Sequence, residues 1–127
     1  MRDEGRGGIR GPGEWGMGRK RKEEKMLKRY RTVFGEEVLL TNEKWNHVAH
    51  RHPEAEKFIE KVKEVLSLPD VVKLSKRDPS VHLYYKFYNG IYDGKYLLVV
   101  TDSVRKLIST IFITDKIKVG EIIWPGK

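Results

Sequence analysis

In HVAHRHPE, residues 47 to 54, three of the chain's four histidines fall close together with an arginine among them. His47, His50 and Arg51 stand at i, i+3 and i+4, so on a helix they share one face. An imidazole can take or give a proton near neutral pH, and a guanidinium beside it can grip a phosphate through two hydrogen bonds. His47 with Arg51 therefore suits acid–base chemistry at a phosphate. Metal ligation by His47 and His50 is a weaker reading, because no carboxylate stands at the usual helical spacing and no third ligand is evident. No metal and no other cofactor is expected. An architectural role competes with the chemical one, and it is preferred for His52, which stands just before Pro53 where it can cap a second helix.

A second group lies in VHLYYKFY, residues 81 to 88. A strand's period of two puts Val81, Leu83, Tyr85 and Phe87 on one face and His82, Tyr84, Lys86 and Tyr88 on the other. The first set is expected to meet the helices, leaving the second as a polar, aromatic surface. Rings interleaved with cations can stack the bases and pair the phosphates of a single-stranded nucleic acid, with Tyr84 or Tyr88 as the stacking ring. The plainer alternative is that these residues only clothe an exposed sheet.

The elements that must position these groups follow from periodicity and punctuation. Residues 37 to 40 read as a short strand, and Thr41 or Asn42 can cap a helix running to about Arg51 with Trp45, Val48 and Ala49 inward. Pro53 suits the first turn of a second helix. Ala55, Phe58, Ile59, Val62, Val65 and Leu66 then form a stripe of helical period, closed by Pro69 and Asp70. Strands are expected at 71–76, 81–88, 96–101 and 107–114, separated by turn residues, with a short last one at 121–124. The expected architecture is α+β, two helices packed on a four-stranded antiparallel sheet.

The 127 residues suffice for one core. Without cysteine there is no disulfide, thiolate nucleophile or cysteine-ligated zinc. No apolar run spans a bilayer and no secretory signal is seen, so a soluble cytoplasmic protein without membrane contact is expected. Net charge is +8, and most of the excess falls in residues 1 to 31. Those residues are expected to be a flexible basic tail, with a short helix over 19–31 the one element their composition allows; residues 32–127 are then the single folded domain. Such a tail attracts nucleic acid or acidic surfaces without reading sequence. Lys and Glu abound while glutamine is missing, a bias associated with thermophiles.

Taken in order, WNHVAHRHPE after a short LLT strand, then LPD, YYK, YLLVV, the strand containing Ser109, Thr110, Ile111, Phe112 and Thr114, and KVGEIIW make a pattern. Over about residues 36 to 124 it resembles the phage-encoded members of the barnase-EndoU-colicin-RelE nuclease superfamily, small metal-independent RNases and toxin domains. The resemblance implies the same two-helix, four-strand fold and names His47, Arg51, Lys86 and Thr110 as catalytic participants; His50 and the tail inherit nothing. It implies RNA as substrate, cut by attack of the ribose 2′-OH to leave a 2′,3′-cyclic phosphate, and an antitoxin or immunity protein as partner. His47 would be base or acid, Arg51 and Lys86 would hold phosphorane charge, and Thr110 would donate a hydrogen bond. His82, Tyr84 and Tyr88 would bind the nucleic acid. The rival reading is a non-catalytic nucleic-acid-binding or partner-binding module of the same fold.

Overall fold

The computed structural model describes residues 26–126. Seven strands are present among them: β1 (Met26–Arg31), β2 (Glu37–Thr41), β3 (Val71–Leu74), β4 (Val81–Tyr88), β5 (Lys95–Asp102), β6 (Leu107–Thr114) and β7 (Ile122–Trp124). They form one sheet in the order β1-β2-β6-β5-β4-β3-β7. Every pairing is antiparallel except the short parallel one between β2 and β6 at Leu39 and Leu107. Two short α-helices, α1 (Asn42–Arg51) and α2 (Val62–Ser67), flank a 3₁₀ stretch, Pro53–Lys61, with a kink at Phe58.

The class is α+β, but two helices on a four-stranded antiparallel sheet is not the architecture. The sheet is seven-stranded and mixed, and the expected second helix is mostly 3₁₀. Its central four strands are the expected antiparallel meander. The surprise is β1. MLKRYR is rich in helix formers, yet it pairs with β2, Tyr30 opposite Val38, through a turn in which Thr32 N–H donates to Glu36 O and Gly35 takes a φ of 82°. A tight turn beside a ready partner strand outweighs helix propensity, which is a weak prior. Residues 26–31 thus belong to the sheet and not to a tail or helix; residues 1–25, including the start of the expected 19–31 helix, lie outside the described residues.

Local signals explain α1. Thr41 accepts a hydrogen bond from Lys44 N–H at 3.1 Å, Glu43 sits in the first turn, and His50 and Arg51 stand at the negative end of the helix dipole. Val48 turns inward and is fully buried.

The helices cover the face of the sheet opposite to the one expected. Tyr84 and Tyr88 pack with Val48, Val62 and Leu66, whereas Leu83 and Tyr85 join Leu98 on the far side. Alternation separates two faces without saying which one a helix will cover, and here both are buried. Tyr84 keeps its place under the helices because Thr32 and Thr101 supply hydrogen bonds at its hydroxyl, so an aromatic body is buried with its polar end satisfied.

The far face, here the back face, is crossed by residues 115–121 on their way from β6 to β7. Lys118 N–H donates to the Tyr85 hydroxyl at 3.0 Å, and Lys73 Nζ donates to Lys118 O at the same length. Gly120 lies so close to the Leu74 carbonyl that any Cβ would collide with it. This crossing segment is therefore pinned at Lys118 and packed tightly at Gly120.

Candidate functional site

The residues expected to act together are distributed over different surfaces. Lys86 lies on the helix side, where its Nζ donates to Leu68 O at 2.8 Å and stands 3.7 Å from Asp70. It therefore holds the end of α2. Tyr84 is only 1% exposed, which leaves no ring face for a base. The Tyr88 hydroxyl donates to Glu64 Oε1 at 2.6 Å and Lys61 Nζ lies over its ring; burial, then that carboxylate, push its pKa up. His82 packs edge-on to Phe34, has a buried Nδ1 without a partner, and has its pKa lowered chiefly by burial. All four point toward the helices, so the expected polar, aromatic surface of β4 is an interior.

His47 and Arg51 are exposed on α1. No hydrogen bond or ion pair among the described residues joins either of them to Lys86 or Thr110. Thr110 sits on the back face, opposite Val100, and its hydroxyl is buried without a hydrogen-bond partner. Strand alternation places Lys86 and Thr110 on opposite sides of the sheet.

The back face assembles a different group. His52 is the C-cap of α1, its N–H donating to Val48 O, and its ring makes no capping bond to the helix that follows. The imidazole instead stacks on Phe112 of β6, with centroids 5.0 Å apart and planes 24° apart. Glu54 stands 3.8 Å from its Nδ1. Phe112 is two residues from Thr110 on the same face, roughly 7 Å along a strand. On the back face, segment 47–54 touches the threonine strand through the His52 ring. Further along this face Tyr96 makes edge contacts with both Tyr85 and the exposed Phe87.

Chemically, this corner offers an imidazole held by a ring and a carboxylate, near a threonine whose hydroxyl is buried; Arg51, next to His52 in sequence, is exposed at the end of α1. Among the described residues, no group of three or more His, Asp or Glu stands close enough to hold a metal ion. The pairing of His52 with Phe112 was not readable from spacing, because 60 residues of chain separate them and the contact depends on where α1 ends relative to β6. Compared with family models, curated proteins and solved structures, the chain matches none. No described helix is long and apolar enough to cross a membrane.

Proposed function

We propose that this domain is a metal-independent endoribonuclease of toxin type whose site lies on the back face at the end of α1. The reading is supported by one observation above all: the His52–Phe112 stack brings together two of the segments that carry the nuclease resemblance, with Thr110 two residues from Phe112 on the same face.

In this mechanism the 2′-OH of the RNA gives its proton to His52 as its oxygen attacks the neighbouring phosphorus. The bond to the 5′ oxygen breaks, leaving a 2′,3′-cyclic phosphate and a 5′-OH that takes its proton from solvent. Arg51 balances the phosphorane charge, while Thr110, its hydroxyl buried, lines the site without touching the reacting atoms; proton transfer alone contributes ~10² to 10⁴ in rate. Lys86, committed to α2, has no part. A cytoplasmic setting and an acidic antitoxin or immunity protein suit a +8 nuclease.

A binding-only module is favoured by a separate observation, the aromatic contacts of Phe87 and Tyr96 on the same face, which resemble a base-stacking platform. Incubating the protein with RNA in EDTA and analysing the product ends decides between them. Cyclic phosphate ends support cleavage, binding without cleavage supports the module, and cutting of an RNA that is 2′-deoxy at the scissile position removes the proposed mechanism.

A further inference from the structure

Across the back face, Thr110 lies opposite Val100, and Val100 lies opposite Leu83. This lateral row spans two strand spacings, about 10 Å. At its far end Leu83 lines an open pocket of about 380 Å³ together with Ser75, Lys76, Arg77, Lys118 and Val119. Three cations line it and no carboxylate does. No ion pair or hydrogen bond among the described residues engages the side chains of Lys76, Arg77 or Lys118. Two acids lie near, in sequence or in an adjoining hollow, without lining the pocket itself: Asp78 accepts from Ser80 N–H and Oγ, and Glu121 lines the hollow, which shares Ser75 and Lys76.

The pocket is also held in shape. Its Lys118 wall is fixed by the bonds from Lys118 N–H to Tyr85 and from Lys73 to Lys118 O. Its other wall is fixed by Ser75 N–H donating to Val81 O at 2.9 Å. Like charges gathered without counter-charge repel one another, and an anion placed among them relieves that repulsion. A pocket of this kind, joined by a short apolar row to a candidate phosphodiester site, fits a second phosphate of the same strand.

We infer that Lys76, Arg77 and Lys118 form a phosphate subsite, one that holds the backbone of a single-stranded RNA at the far end of this row, about 10 Å by strand spacing from Thr110. The inference rests on the nuclease reading for the nature of the strand. It makes the substrate an oligonucleotide rather than a dinucleotide, because the two anchors lie more than one nucleotide apart.

The test uses the full chain and a single-stranded RNA oligonucleotide, 2′-deoxy at the scissile position, with affinity read by fluorescence anisotropy against salt. Replacing Lys76, Arg77 and Lys118 together by Gln should weaken binding and lower the slope of log affinity against log salt by about 0.7 for each phosphate that is no longer neutralised. Dinucleotide cleavage and thermal stability should stay unchanged. A control with Lys28, Lys57 and Lys63 on the helix side changed to Gln removes the same charge and should leave the slope nearly intact. An unchanged slope in the first variant, or an equal fall in the control, overturns the subsite while leaving the nuclease reading standing. Wild-type protein that neither binds nor cuts RNA overturns both.

Discussion

The His52 imidazole, at the end of α1, lies nearly parallel to the Phe112 ring of β6, 5.0 Å away. A stack of this kind contributes about 1 kcal/mol beyond the area it buries. His52→Phe should keep the stack and hold thermal stability near that of the wild type while lowering RNA cleavage ~10²-fold or more. His52→Ala should lose both. His47→Ala, on an exposed helix surface, should lose neither. Cleavage that survives in the Phe variant would move the proton-transfer role away from this corner.

Burial lowers the pKa of His82, and its Nδ1 has no partner to favour the charged form. The unfolded chain, with an ordinary histidine near 6.5, therefore binds this proton more readily than the folded one. Stability is full above that value and falls as pH drops through it toward the lower folded pKa. Thermal midpoints measured from about pH 8 to about pH 5 should decline in the wild type, and less steeply in His82→Leu. Parallel curves would show that another group governs the acid loss.

The Tyr85 hydroxyl is the acceptor that pins Lys118 N–H. Tyr85→Phe leaves that donor without a partner, at a cost of about 1 to 3 kcal/mol. Gly120→Ala attacks the same crossing segment by driving a methyl group into the Leu74 carbonyl. Both variants should lower the denaturant midpoint, and a double variant should lose less than the sum because the two changes free one segment. Full additivity would mean that Lys118 and Gly120 are held independently.

Removing residues through Arg31 deletes β1 and with it Tyr30, which is 7% exposed and packed in the main core. The shortened chain should be markedly less stable than the full one, or fail to fold, as read by circular dichroism on heating. An unchanged transition would make β1 an ornament of the sheet.

What is legible in this sequence is what short-range chemistry dictates. Thr41 as a cap, the inward Val48, Pro53 at a helix start and the strands on either side of Asn89–Gly94 all follow from neighbours within a few residues. Two kinds of information are missing. Tyr84 and Tyr85 are both fully buried, so alternation cannot say which of them lies under α2; that depends on Thr32 and Thr101 meeting one hydroxyl and Lys118 meeting the other. The candidate site fares likewise. Segment 47–54 and Thr110 are visible as chemical residue types, but choosing His52 over His47 requires knowing that α1 ends beside Phe112 of β6.

The pairing of Leu39 with Leu107 bears on how the chain reaches this fold. The meander from β3 to β6 forms from sequential neighbours, whereas docking of the β1–β2 hairpin joins distant segments: Glu36 and Lys106, which meet at 3.3 Å, are 70 residues apart in sequence. Closing so long a loop costs entropy that only a nearly complete core can offset. The hairpin should therefore be the last unit to assemble and the first to open. In hydrogen exchange, the Leu39 amide, held by Lys106 O at 3.0 Å, should exchange well before the amides shared by β5 and β6.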